Sequence, residues 1–210
     1  MTAAVTDPYA DVNEYKQRVG KTSADDDLAL LDQLKAISRF IDIRLDRFFT
    51  QDAAVVVRTF DGNGNTRLWL PDIASTTGLV VKVDLNADYD FTDSNETLTI
   101  NTHFWVGPHN ADKGPEVWPW EYLEIVPNNS VLSIWPSQVR AVQVTAKFGW
   151  PAVPNAIKEL TIGIVRYLRD LEQAGGTLAL QNIEGVIQQS SRLNLLWWDI
   201  QRQYAKVPSL

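Results

Sequence analysis

Val142-Gln143-Val144-Thr145-Ala146-Lys147-Phe148-Gly149-Trp150-Pro151-Ala152-Val153-Pro154-Asn155-Ala156-Ile157-Lys158 is the stretch whose reading decides the fold, because two structural grammars meet inside it. Up to Phe148 it reads as a strand, expected over Val139–Phe148 and β-rich in character. From Pro154 onward Ile157, Leu160, Ile164, Leu168 and Leu171 return every three or four residues, which draws one apolar face on a helix, with Gly175-Gly176 as its C-terminal stop. Between the two, Gly149 permits a backbone turn that a side chain would hinder. Phe148 and Trp150 are placed to cover the seam between sheet and helices, and Pro154 pre-sets the dihedral of a helix start.

Reading outward, the chain has three zones. Upstream, Thr22 and Ser23 are capping candidates for a helix whose first turn holds Asp25, Asp26 and Asp27, negative charge at the positive end of the helix dipole. Leu28, Leu31, Leu34, Ile37, Ile41, Leu45 and Phe48 then give an apolar stripe along about 37 Å of helix at 1.5 Å per residue. A shorter helix is expected from Asp11 to Val19, stopped by Gly20. After Gln51 the runs are short and β-rich: Ala54–Phe60 and Thr66–Leu70, read as a hairpin around Asp61-Gly62-Asn63-Gly64-Asn65, then Leu79–Asp84, Leu98–Val106, Glu121–Val126 and Val131–Trp135. A last helix is expected from Arg192 to Tyr204, capped by Ser190 and Ser191.

Each flanking helix is amphipathic and needs a partner, so the economical arrangement packs the two flanks together. The expected class is α+β. Residues 1–52 and 149–210 make a discontinuous helical bundle, and residues 53–148 form an inserted antiparallel β-sandwich or barrel-like module.

The 210 residues are 45% hydrophobic with eight Trp, ample for a packed core. There is no Cys, which excludes a disulfide frame, a thiolate metal site and a cysteine nucleophile. The start, MTAAVTDPYADVNEYK, lacks the basic lead and apolar core of a signal peptide, and no run approaches the roughly 20 apolar residues of a membrane span. The chain is therefore expected to be soluble, without membrane contact, and cytoplasmic when made. The net charge of −7 argues against a dedicated nucleic-acid binder, since that affinity rests on Lys and Arg neutralising phosphates. The acidity sits in the middle: Gln51 to Trp150 holds twelve Asp and Glu against six Lys and Arg, and Pro151 to Leu210 five against six.

The order helix, β-insert, helix, together with Phe148-Gly149-Trp150 and Pro154 at the junction, resembles the head-tail connector, or adaptor, proteins of tailed bacteriophages. In that family a final strand ends in an aromatic-Gly-aromatic turn, and a proline opens the long helix after it. The Asp-rich helix start, Leu70-Pro71-Asp72 and Trp135-Pro136 are similar too, so the likeness covers roughly residues 22 to 75 and 117 to 173. It implies a structural virion protein that closes into a ring, commonly of twelve copies. The ring docks under the portal protein and meets downstream tail or stopper proteins. DNA passes through it without specific binding. It also implies a place in the neck of the virion, reached from the host cytoplasm during assembly.

The C-terminal helix is apolar on more than one side, so it calls for two partners. Arg192, Leu195, Trp197, Trp198 and Tyr204 are the candidate interface with the portal or a neighbouring copy, the alternative being that both Trp pack in the subunit's own core. Arg166 and Arg169, with Lys158, are candidates to pair with Asp42 and Asp46 across a subunit boundary or within one chain.

No catalytic residue, cofactor or metal is assigned. Asp61–Asn65 echoes the opening of a calcium loop, but its twelfth position is Asp72 where Glu is required. The cluster Asp84, Asn86, Asp88, Asp90, Asp93 and Glu96 is the better cation candidate, set against a plain solvated loop. His103 and His109 match no zinc or nucleophile-base pattern, and Glu121 and Glu124 fall on opposite faces of a strand. The rival to a connector is a carbohydrate-binding or receptor-binding β-module, with Trp105, Trp118, Trp120 and Trp135 as a sugar-stacking platform.

Overall fold

The computed structural model describes residues 7–174 and 183–206. The chain is α+β and divides into two compact units. Among the described residues, one comprises residues 7–49, 153–174 and 183–206 and the other residues 50–152.

The first unit is helical. Its elements are α1 (Val12–Val19), α2 (Asp27–Leu45), α3 (Asn155–Gln173), α4 (Ile183–Gln189) and α5 (Ser191–Tyr204). The short α1 is closed at both ends by local chemistry. Asp11 and Glu14 form a reciprocal capping box, and Gly20 takes the left-handed conformation at φ 70. Helix α2 begins later than expected. The Ser23 hydroxyl accepts from the Asp25 N–H and holds the preceding residues in a turn, so the helix starts at Asp27. Its 19 residues span about 28 Å rather than 37 Å. Its buried stripe is Leu30, Leu34, Ile37, Ile41 and Leu45; Leu28 and Phe48, expected within it, are exposed. Helix α3 buries Ile157, Leu160, Ile164 and Leu168 as its period predicts, and Pro154 stands at its N-cap. The expected stop at Gly175-Gly176 lies outside the described residues. Helix α2 packs on α3, and α3 on α5. Gly163 makes that second approach close, since a Cβ there would meet the Leu193 side chain at 3.0 Å.

A polar knot is buried in this unit. The Tyr9 hydroxyl donates to Asp42 and accepts from the Phe49 N–H at 3.0 Å, while the Tyr9 N–H donates to the Ser38 hydroxyl at 2.9 Å. Arg39 pairs with Asp42 at 2.9 Å. Burial pushes the Asp42 carboxyl up to about 6, against the Tyr9 hydrogen bond and the Arg39 charge, which pull it down. With the folded value above the ordinary one, the contribution to stability is full below about pH 4, is lost as pH rises to about 6, and is constant beyond. Two pKa units correspond to about 3 kcal/mol. Between about pH 3.5 and pH 7 the native chain should therefore lose about 3 kcal/mol more than Asp42→Asn, as measured by urea unfolding.

The second unit holds one open antiparallel sheet of six strands: β1 (Val56–Phe60), β2 (Arg67–Val83), β3 (Thr97–Leu98), β4 (Phe104–Gly107), β5 (Trp120–Ile125) and β6 (Val142–Phe148). The order is β1-β6-β2-β5-β4, with β3 added beside β2. The sheet is neither a closed barrel nor a pair of stacked sheets, and four details differ from the sequence reading. The run expected as one strand over Leu98–Val106 is broken by a turn at 101–103 into β3 and β4. The runs at Thr66–Leu70 and Leu79–Asp84 are parts of a single 17-residue strand, β2, whose register shifts between Trp69 and Ile73 and again between Ser75 and Val80. Val131–Trp135 is irregular, with Trp135 fully buried. The expected hairpin is absent: β1 pairs with β6, not β2, in the register Val56↔Ala146 to Phe60↔Val142. Asp61–Asn65 instead lies along residues 136–140. Gly62 N–H donates to Gln138 O at 2.9 Å, and Arg140 N–H to the Asp61 carboxylate at 2.7 Å. Strand β6 alternates strictly, burying Val142, Val144, Ala146 and Phe148 in a core with Leu68, Ile73, Val81, Leu123 and Trp135.

Candidate functional site

The helix at the C-terminus carries the surface that the sequence reading singled out. Ser190 caps α5, its hydroxyl accepting from the Leu193 N–H at 3.4 Å. On a helix of 100° per residue, Leu193, Trp197, Ile200 and Tyr204 fall within an arc of about 60°. All four are buried. Trp197 stacks on Phe40 of α2 at 5.8 Å between ring centroids, and Tyr204 meets Phe49 edge-on at 5.8 Å. These two candidates are therefore committed to the core of their own unit and are not exposed anchors.

Arg192, Leu195, Trp198 and Arg202 occupy the opposite arc, about 120° wide. All four are exposed, Leu195 by 70% and Trp198 by 58%. A solvent-facing Trp with a guanidinium on either side is the composition that interface centres favour, and Leu195, three residues before Trp198, adds apolar area beside it. Arg202 belongs to this stripe but is absent from the interface expected from sequence, which follows the apolar residues and passes from Trp198 to Tyr204. The helical period alone, continued from Trp198, reaches it.

The other cationic candidates have partners within the chain. Arg169 is largely buried; its Nε donates to the Gln33 side chain at 2.9 Å and its guanidinium approaches Asp26 at 3.8 Å. Arg166 lies 3.9 Å from Asp170 in its own helix, and Lys158 pairs with Glu14 at 2.8 Å. The expected partners of these cations, Asp42 and Asp46, are used otherwise. Asp42 sits in the Tyr9 knot, and Asp46 caps α2 in the left-handed conformation at φ 51.

The strand-to-helix junction is built as one hydrogen-bonded corner inside the β unit. Gly149 has φ 104, its N–H donates to the Asp72 carbonyl at 2.7 Å, and a Cβ at this position would lie 1.9 Å from the Thr50 carbonyl oxygen. Trp150 is fully buried; its indole N–H donates to the Asp72 carboxylate at 2.9 Å and its ring leans on Trp118 at 4.9 Å. Phe148 lies under the guanidinium of Arg58 at 4.0 Å. Phe148 thus belongs to the β core, and Trp150 is held within the same unit by Asp72 and Trp118. Within the Leu70-Pro71-Asp72 stretch, Asp72 ties down the corner by backbone and side chain.

The four tryptophans proposed as a flat platform do not form one. Trp135 is fully buried, Trp118 is turned onto Trp150, and Trp105 and Trp120 are half-buried at a shallow depression of ≈ 380 Å³ shared with Asn101, His109 and Asp112. His103 accepts the Thr99 N–H at 2.8 Å, a turn-holding role, and Glu124 pairs with Arg67 at 3.2 Å.

No protein-family model and no curated protein matches this sequence. Among solved structures, the fold is shared with a chain of a structure described as "Neck of empty GTA particle computed with C6 symmetry". The two are 16% identical with a TM-score of 0.52, and the match covers 96% of this chain and 92% of the other. The likeness spans both the helical and the β units.

Proposed function

We propose that this chain is a structural virion protein of the neck, a head-tail connector that assembles as a ring beneath the portal and extends the DNA channel between capsid and tail. The observation that carries this reading is the fold shared, over nearly the full length of both chains, with a chain of a structure described as the neck of an empty GTA particle. The order helix, β-insert, helix supports it from the sequence side.

In this reading the helical flanks act as one discontinuous bundle, and the chain has no catalytic task. The outer stripe of α5, Arg192-Leu195-Trp198-Arg202, meets the portal or the next copy, and further contacts join the ring to tail or stopper proteins. A ring needs no single strong contact, because each subunit is held on two sides at once and many modest contacts combine. The sixfold symmetry given for the related neck is compatible with twelve copies, two per repeat. The acidic balance suits a channel that DNA must traverse without sticking, and predicts more Asp and Glu than Lys and Arg along the lumen.

A second reading rests on the depression beside Trp105 and Trp120, which offers aromatic faces and polar groups of the kind a sugar stacks on. Size-exclusion chromatography with light scattering, on the chain alone and mixed with a phage portal protein, separates the two. The connector reading expects a ring-sized mass or a stable portal complex. A monomer that ignores portal and is retained on a glycan array supports the second reading and contradicts the first.

A further inference from the structure

We infer that the connection between β2 and β3 is a binding site for a divalent cation of the calcium type, held by Asp84, Asp88 and Glu96. The connection runs Asp84-Leu85-Asn86-Ala87-Asp88-Tyr89-Asp90-Phe91-Thr92-Asp93-Ser94-Asn95-Glu96. Its two ends are fixed side by side: the Val83 N–H donates to the Glu96 carbonyl at 2.9 Å, and the Asp84 N–H to the Ala141 carbonyl at 3.0 Å. The first and last acidic residues of the loop are thereby brought to its mouth, and both are buried, Asp84 2% exposed and Glu96 1%.

One carboxylate oxygen from each of Asp84, Asp88 and Glu96 lies within 4.8 Å of the other two. Two oxygens bound to one calcium ion at about 2.4 Å are at most about 4.8 Å apart, so the three are already within the reach of a common ion. The Glu96 side chain supplies an independent sign. Its Oε2 accepts the Asp93 N–H at 3.2 Å, but Oε1 is buried and has no hydrogen-bond partner. A buried carboxylate oxygen left without a donor is costly, and the cost grows when a second buried carboxylate faces it.

Among the described residues no Lys or Arg pairs with this charge. Lys82, on the strand leading into the loop, directs its ammonium to the Phe91 carbonyl at 2.7 Å. A bound cation would satisfy Glu96 Oε1 and neutralise the cluster together. The donor set is all oxygen, which excludes the sulfur and imidazole preferences of zinc or copper. Asn86 reinforces the cluster, its amide nitrogen lying 2.8 Å from Asp88 and 3.1 Å from Asp93. Calcium accepts six to eight oxygens in irregular arrangements, whereas magnesium demands a near-ideal octahedron, so a long loop of mixed acids favours calcium.

The test is calorimetric titration of the full chain, stripped of metal by a chelator, with calcium chloride, paired with thermal melts in calcium and in magnesium. The expected result is one saturable site, a rise of the melting temperature in calcium that exceeds the rise in magnesium, and a loss of affinity of at least about tenfold in Asp88→Asn. Asp88 is exposed, so that variant keeps the fold. Glu96→Gln should lose the calcium response altogether. Absence of saturable heat and of any melting shift up to millimolar calcium overturns the site, as does a response in Asp88→Asn equal to that of the native chain.

Discussion

Replacing Gly149 by alanine is expected to cost about 3 kcal/mol or more, the largest loss from adding a single methyl at the junction. The residue stands at φ 104, where L side chains are strained, and the new Cβ would sit 1.9 Å from the Thr50 carbonyl oxygen and 2.9 Å from its carbon. Relief requires moving backbone, and that backbone is pinned: Trp150 N–H donates to the same Thr50 carbonyl at 3.2 Å, and Gly149 N–H to Asp72. In a chain of this size such a loss lowers the melting temperature by about 6 to 12 °C, readable by circular dichroism. Gly20→Ala is the matched control. It also has positive φ, 70, but nothing within 4 Å of the added carbon, so only the conformational cost of about 1 kcal/mol remains. Equal losses in the two variants would mean that the corner at Gly149 yields freely, against the rigid junction described here.

The second large effect separates two adjacent tryptophans. Trp198→Ala should leave the monomer's stability nearly unchanged, because the ring is 58% exposed on the outer face of α5. It should weaken ring or portal assembly at least about 30-fold, the effect of losing an aromatic anchor worth about 2 kcal/mol. Trp197→Ala should do the reverse. Its ring is 3% exposed and stacked on Phe40, so the loss falls on folding, at about 3 to 5 kcal/mol. Leu195→Glu, on the exposed stripe, should follow Trp198→Ala. Sedimentation velocity reads assembly and urea unfolding reads stability. Wild-type assembly by both Trp198→Ala and Leu195→Glu would remove α5 from the interface.

What could be read in the sequence was whatever depends on neighbours along the chain. The strand ending at Phe148, the period of α3, the short helix between Asp11 and Gly20 and the Ser190 cap of α5 are all local signals, and the structure carries each of them. What could not be read depends on contacts distant in sequence. Asp61-Gly62-Asn63-Gly64-Asn65 has the composition of a hairpin turn, yet β1 finds its partner in β6, about 86 positions on, because the alternating faces of those two strands match and β2 is taken by β5 and β6. The start of α2 was misjudged because Ser23 satisfies its own turn instead of the helix.

The same division holds for the candidate site. Helical phase places Trp197 and Trp198 on different faces, but the sequence reading kept both in one interface because phase does not say which face is covered; Phe40 and Phe49 decide that, from residues more than 150 positions away. Likewise the acid spacing of Asp84–Glu96 was visible as composition. That Asp84 and Glu96 are buried, with one oxygen left bare, follows only from the β2–β3 pairing, which closes the loop's mouth.

The most direct measurement of the central claim is cryo-electron microscopy of the particle neck, with this chain carrying a compact fused tag. A closed ring of tagged copies beneath the portal, coaxial with the channel and with α5 at a subunit or portal boundary, is the predicted result. Tag density absent from the neck, or lying on a fibre, on the capsid surface or on no particle at all, would contradict the claim.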